Sequence, residues 1–278
     1  MKILTLTQDE FIVLAHIMKV EKLILYAGTG LQGKVFTKKL EDHHLEMRKA
    51  LILRGLISVK DKKIESNKVI LNRGIFIFKD KNTYELSDDI QRIKDIATEE
   101  KYEIEVLENQ EEYEVCINKL VIGSRGYMSI IFDEEAKNFT LEIAQENERL
   151  NFFSKHLQIP MAYTIKKEES YSISLKSDNL EKLINAYTAN DKEVYEKEAG
   201  LLGWDVERSR GFLKSTWENE NYRNYVIINS KKKNSISNIR IYNDQGDYYM
   251  LKSQDTKKAV EAARKDFPGM IDFFVPES

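Results

Sequence analysis

Two stretches of the chain repeat one order of apolar and polar runs. In the later stretch, residues 222–229 are rich in β-formers: Tyr222, Tyr225, Val226, Ile227 and Ile228. A polar break with Lys231, Lys232 and Lys233 follows, and residues 236–242 are then apolar at Ile236, Ile239 and Ile241. Asn243-Asp244-Gln245-Gly246 predicts a turn, with Gly free to take positive φ. Residues 247–251 return as a strand through Tyr248, Tyr249 and Met250. Ser253 or Asp255 then caps an expected helix with the apolar face Ala259, Val260, Ala263 and Phe267, stopped by Pro268-Gly269. In the earlier stretch, residues 113–122, 127–132 and 139–144 predict three strands. They are separated by Gly123-Ser124-Arg125-Gly126 and by a turn over 133–138, and a helix over 146–157 follows with Leu150, Phe153 and Leu157 on one face. A helix also stands in front of each stretch, over 89–100 and over 205–218. The pattern predicts a pseudo-duplicated unit of helix, three-strand antiparallel meander and helix. Two such units join into a central antiparallel sheet flanked by helices.

The remaining segments fit the same class. Thr7-Gln8-Asp9-Glu10 has capping-box spacing for a helix to about residue 19, with Phe11, Leu14, Ala15 and Met18 on one face. Residues 22–26 are a short apolar run, 28–33 a flexible glycine loop, and 36–54 a helix that ends at Gly55. Residues 56–59, the turn Asp61-Lys62-Lys63 and Ile64 predict a small wing, so that 41–64 is winged-helix-like. A hairpin is expected from 75–78 and 83–86 around Asp80-Lys81-Asn82. Between the meanders, 171–175 alternates as a strand, and helices start at Asp178, Asp191 and Asp205, the first with the face Leu180, Leu183, Ile184 and Tyr187. Helices and strands cluster separately, which predicts α+β rather than a doubly wound parallel sheet. A loose break over 160–169 divides an expected N-terminal half, 1–160, from a C-terminal half, 161–278, within one fused globular unit.

Composition narrows the function classes. With 278 residues, 42% hydrophobic and 32% charged, the chain can build a large core and stay soluble. A net charge of −3 gives no general pull toward nucleic acid or anionic membrane. The single cysteine, Cys116, excludes an intramolecular disulfide, and its place in a strand predicts a buried, inert thiol. No apolar run approaches the roughly 20 residues of a membrane span, and the start lacks the long apolar region of a signal peptide. The expectation is a cytoplasmic protein without membrane insertion.

Candidate chemistry is sparse. Gly28-Thr29-Gly30-Leu31-Gln32-Gly33-Lys34-Val35 fits glycine-rich phosphate-binding patterns, and 129–134 imitates an acidic partner strand. Val35, however, stands where a P-loop needs a magnesium-binding hydroxyl, and the region that should supply a second parallel strand predicts helix. Asp42-His43-His44-Leu45-Glu46 suggests a metal only superficially, because adjacent helical side chains diverge by about 100°. A solvated helix start accounts for the motif, and no metal or cofactor is expected. No nucleophile and base grouping is readable, so no catalytic residue is assigned. The winged-helix-like segment opens its candidate recognition helix with Glu41, Asp42 and Glu46, which repel phosphate and are offset only in part by Arg48, Lys49 and Arg54. Tyr222, Tyr225, Tyr242, Tyr248 and Tyr249 are the surface candidates, since tyrosine suits interfaces and strand alternation places Tyr248 and Tyr249 on opposite faces.

Three features together resemble a known family. They are the capped helix at Thr7-Gln8-Asp9-Glu10-Phe11, the helix ending in Arg54-Gly55-Leu56-Ile57, and the late hairpin Ile239-Arg240-Ile241-Tyr242-Asn243-Asp244-Gln245-Gly246-Asp247-Tyr248-Tyr249. Their order, with the two-unit pseudo-symmetry, is similar to the EspG-like cytosolic chaperones of type VII secretion systems, including Gram-positive relatives. The family often carries Arg after the hairpin Gly, where this chain has Asp247. The resemblance implies a non-enzymatic chaperone that holds helical-hairpin secretion substrates in the cytoplasm, masks their apolar tips and releases them to a secretion ATPase. The partner-binding residues expected on this reading are Arg125 and Tyr127 at the first turn and Tyr222, Tyr225, Tyr242 and Tyr248 in the second meander. Two other readings stand beside it: a winged-helix transcriptional regulator, and a nucleotide-using enzyme built on the Gly28 to Lys34 loop.

Overall fold

The computed structural model describes residues 1–28, 37–61, 68–72, 75–79, 83–110, 113–230, 235–254 and 259–275. One order of elements runs through the chain twice. The first pass is β1 (Lys2–Thr7), α1 (Gln8–Met18), α2 (Glu21–Gly28), α3 (Thr37–Leu53), α4 (Asp88–Thr98), the strands β6 (Glu100–Gln110), β7 (Tyr113–Gly123), β8 (Gly126–Asp133) and β9 (Asn138–Ala144), and α5 (Arg149–Leu157). Between α3 and α4 lie the short strands β2 (Ile57–Asp61), β3 (Lys68–Asn72), β4 (Ile75–Lys79) and β5 (Thr83–Leu86). The second pass is β10 (Tyr171–Lys176), α6 (Ser177–Thr188), α7 (Lys192–Leu201), α8 (Val206–Trp217), the strands β11 (Tyr222–Asn229), β12 (Ser235–Asp244), β13 (Asp247–Gln254) and β14 (Ala259–Arg264), and α9 (Phe267–Phe274). The fold class is α+β, with a ten-stranded sheet in the order β1-β9-β8-β7-β6-β11-β12-β13-β14-β10. Every strand pair with a defined register in it is antiparallel.

Each repeat therefore holds four meander strands where the sequence pattern predicts three. The missed strand of the first repeat is β6. Its residues alternate Glu103 and Glu105 with Ile104 and Val106, and the dense glutamates obscure a strand period. The missed strand of the second repeat is β14, where a helix with the face Ala259, Val260, Ala263 and Phe267 was expected. Alanine favours helix locally, but Ala262 and Ala263 are fully buried between β13 and β10, where only small side chains fit beneath packed helices. Pro268 and Gly269 begin α9 rather than stopping a helix: Asp266 caps it, accepting from the Gly269 N–H at 3.0 Å, with Pro in the first turn.

The chain divides into two compact units, residues 1–101 with 121–148, and residues 102–120 with 149–278. In the first unit the capping box forms as its spacing requires, with Glu10 N–H donating to Thr7 Oγ1 and Thr7 N–H to Glu10 Oε2. Helix α1 buries Phe11, Leu14, Ala15 and Met18 against Ile90, Ile93 and Ile96 of α4 and Leu141 and Ile143 of β9. The apolar run at 22–26 belongs to α2 rather than to an isolated stretch. Helix α3 ends at Gly55, whose φ of +66° lies in the left-handed region. Arg54 then reaches back, donating to Glu10 Oε2 and to the Thr5 carbonyl, each at 2.7 Å.

The small ribbons differ from the expected pairing. Strand β2 pairs with β5, Ile57 opposite Leu86, and β3 pairs with β4, Val69 opposite Phe78. Strand β4 thus pairs with the strand just before it rather than with 83–86, and 83–86 pairs with β2. Ile64 and residues 80–82 lie outside the described residues.

The turn after β7 requires glycine twice. A Cβ on Gly123 would sit 2.7 Å from the Ile96 carbonyl oxygen, and one on Gly126, at φ +144°, would sit 2.5 Å from the Ala144 oxygen. Gly126→Ala is expected to lower unfolding stability by about 2–3 kcal/mol through backbone strain and displacement of β9. A urea midpoint unchanged from wild type would contradict this geometry.

His16, near the end of α1, is held neutral by burial, which lowers its pKa to about 4. Its unfolded form takes a proton near pH 6.5, so the unfolded state binds more protons between those values. The His16 contribution is thus complete above about pH 6.5 and is lost as pH falls toward 4. By about pH 4.5 the loss is about 2 kcal/mol. His16→Gln should flatten this part of the stability profile; an identical acid limb in both proteins would contradict the assignment.

In the second unit, α6, α7 and α8 cover one sheet face through Leu180, Leu183, Tyr195, Trp204, Phe212 and Leu213, packed on Leu175, Val260 and Ala262. Asp191 and Asp205 cap α7 and α8 as expected, whereas α6 begins after Lys176 without a side-chain cap. Tyr163 pins the connector between the repeats, which is therefore not loose: its carbonyl accepts from Phe267 N–H, and its hydroxyl from Tyr248 N–H at 3.2 Å. Arg264 adds ion pairs to Glu169 and Asp247.

Candidate functional site

Register decides which face each meander residue occupies, because directly opposed residues in an antiparallel pair share a face. On one face of β6, β11, β12 and β13 stand Ile104, Val106, Tyr225, Ile227, Ile239, Ile241 and Met250, all buried. The Tyr225 hydroxyl donates to the Leu157 carbonyl at 3.1 Å, and its ring meets Phe274 edge-on at 5.1 Å. Helices α5 and α9 thus close that face.

The opposite face is covered only in part. Leu251 and Tyr249 lie against the α6–α8 cluster. Farther along, Glu103 stands opposite Ile228 and Ile228 opposite Ile236, while Glu105 stands opposite Val226 and Val226 opposite Asn238. Val226 and Ile228 are half-buried, and Ile236 is 45% exposed. On β7, Ile117 is 39% exposed and lies two residues from Lys119, hence on the same face. Lys119 bonds Glu103 at 3.2 Å and Glu105. Burial pulls the Lys119 ammonium down, but the bonds and charges of the two glutamates outweigh it and hold its pKa above the ordinary value. Glu103 and Glu105 of β6 are therefore neutralised in part within the sheet. What remains is apolar surface on either side of that charged group: Ile117 on β7, and Val226, Ile228 and Ile236 on β11 and β12.

The residues expected to form the partner surface are placed differently. Tyr127, Tyr225, Tyr242 and Tyr248 are buried, at 5%, 1%, 5% and 8% exposure, and so do not present an outward surface. Each ring is used internally: Tyr127 donates to Glu146, and Tyr248 stacks edge-on against Tyr163 at 4.8 Å. Tyr242 packs against Tyr222 at 5.4 Å. Burial prevails because these tyrosines fall on positions already roofed by helices or loops. Tyr222 is half-buried beneath Arg240, whose guanidinium lies 5.3 Å from its ring centroid. Arg125 is exposed, but it binds Asp95 and Glu99 of its own unit, at 3.1 Å each.

The other motifs resolve in structural terms. Cys116 is exposed on β7 rather than buried. The residue is exposed as a whole, but its sulfur is part-buried, and that burial, then the Glu105 charge, push the thiol up to about 11, so it stays protonated. His44 is 2% exposed, not part of a solvated helix start. Among the described residues, no group of three or more His, Cys, Asp or Glu is placed to hold a metal ion. Asp133 turns the chain, its Oδ1 accepting from the Glu135 and Ala136 N–H groups. Residues 29–35 of the glycine loop lie outside the described residues. Two cations of the candidate DNA-reading helix are engaged internally: Arg54 as above, and Arg48 on the Tyr84 hydroxyl at 2.7 Å. Among the described residues, no helix is long and apolar enough to cross a membrane.

No family model matches the chain, and no curated protein matches it. Among solved structures it is similar to the Mycobacterium tuberculosis type VII secretion system chaperone EspG5, seen in complex with a PE25–PPE41 dimer. That similarity has 10% identity, covers 99% of this chain and 94% of that chain, and has a TM-score of 0.48.

Proposed function

We propose that this protein is a non-enzymatic binding protein that seats the apolar face of a helical partner on the open strip of β7, β11 and β12. One observation carries the reading: Ile117, Val226, Ile228 and Ile236 share a sheet face that the second unit's own helices leave open. An apolar helix face lying there removes hydrocarbon from water at about 25 cal/mol per Å². Between Ile117 and the β11–β12 residues, Lys119 neutralises Glu103 and Glu105 in part, which lowers the cost of covering them. This is helix-in-groove recognition, anchored by side chains one helical turn apart.

The class of partner follows from the sequence resemblance to EspG-like chaperones: helical-hairpin substrates of type VII secretion, held in the cytoplasm until transfer to a secretion ATPase. Co-expression with helical-hairpin secretion proteins, followed by size-exclusion chromatography, tests this class. A co-eluting complex is expected. Separate elution from every such protein removes the assignment.

A further inference from the structure

A second feature, independent of the open strip, lies where the end of α6, the start of α7 and the end of α8 meet. They enclose a hollow of about 750 Å³. Its floor is aromatic, Tyr187 and Tyr195 having ring centroids 6.0 Å apart. The two acids on its wall are already used. Asp191 caps α7 by accepting from the Val194 N–H at 3.1 Å, and Glu218 accepts from the Tyr187 hydroxyl at 2.7 Å.

The cations are differently placed. Arg210 lies over the Tyr195 ring, 5.2 Å from its centroid, and among the described residues it has no carboxylate partner. Lys192 has only a loose contact with Glu196, at 3.8 Å. Trp217, seven residues after Arg210 on the same flank of α8, is 58% exposed. Leaving so large an aromatic surface in water is unfavourable, and a ligand ring laid on it recovers that energy. Arginine presents a planar fork suited to a carboxylate.

We infer that this hollow binds a monoanionic carboxylate carried on an aromatic body, with the carboxylate on Arg210 and the ring against Trp217. The volume falls in the range of small-ligand sites, roughly 300–1,000 Å³. The source is either a free aromatic acid or the carboxyl-terminal aromatic residue of a polypeptide, which share this chemistry.

Titration of the full chain with N-acetylphenylalanine tests the inference, with Trp217 fluorescence as the readout and buried Trp204 as the constant background. A saturable response with Kd of about 1 mM is expected for a ligand of this size. N-acetylphenylalaninamide, lacking the carboxylate, should bind at least about tenfold more weakly. Arg210→Gln should weaken the acid by a similar factor, with unchanged circular dichroism. A short peptide ending in Phe that binds at least as tightly as the free acid identifies the polypeptide source, and weaker binding identifies the small acid. Equal binding of the amide, or no response from wild type up to about 10 mM, overturns the site. The acid–amide comparison uses wild type alone, so it decides the matter even if Arg210→Gln does not fold.

Discussion

Tyr225→Ala is expected to destabilise the protein by about 4 kcal/mol. The ring is 1% exposed, packs edge-on against Phe274 at 5.1 Å and anchors its hydroxyl on the Leu157 carbonyl. Truncation leaves a ring-sized cavity between the meander and its two covering helices, and it strands the Leu157 carbonyl. Tyr225→Phe keeps the ring and removes only the hydrogen bond, so about 1 kcal/mol is expected. Tyr222, half-buried on the other face of β11, should tolerate Ala with about 1 kcal/mol of loss. Urea unfolding of the three variants checks this ordering. A Tyr225→Ala midpoint as high as that of Tyr222→Ala would refute the assignment of faces.

The second large effect is on binding. Ile117 and Ile236 are exposed, so replacing both with Asp should cost no more than about 1 kcal/mol of stability for each position. With a helical partner seated over them, each aspartate would place an unpaired carboxylate in an apolar contact. Central anchors of such interfaces are commonly worth about 2 kcal/mol or more. The double variant should therefore lose at least about a hundredfold in affinity.

The contrast between Tyr225 and Ile236 shows what was legible in the sequence. Residues 225–228 are apolar on both alternating faces, which implies two covered faces for β11. Strands β7 to β13, the turn at Gly246, the cap at Thr7 and the helix starts at Asp191 and Asp205 follow from local chemistry and are where the pattern places them, whereas β1, β6 and β14 are not read there. Which face the chain itself covers does not follow, because α5 and α9 arrive from distant parts of the sequence. Tyrosine identity was thus a poor guide to exposure. The better signal was the apolar pair Val226 and Ile228 opposite charged β6, a partner strand hidden by its own glutamates. Strand β14 was obscured for a related reason: alanine's helix preference is local, and the space between two helix layers is not.

The central claim is that the open strip is a partner site. Its most direct test is the dissociation constant of a helical-hairpin secretion substrate that co-purifies with wild type, measured by calorimetry against wild type and Ile117→Asp/Ile236→Asp. Unfolding curves of both proteins accompany the titrations. The account predicts at least about a hundredfold weaker binding by the double variant, with its fold retained. Equal affinity for a folded double variant would contradict the claim.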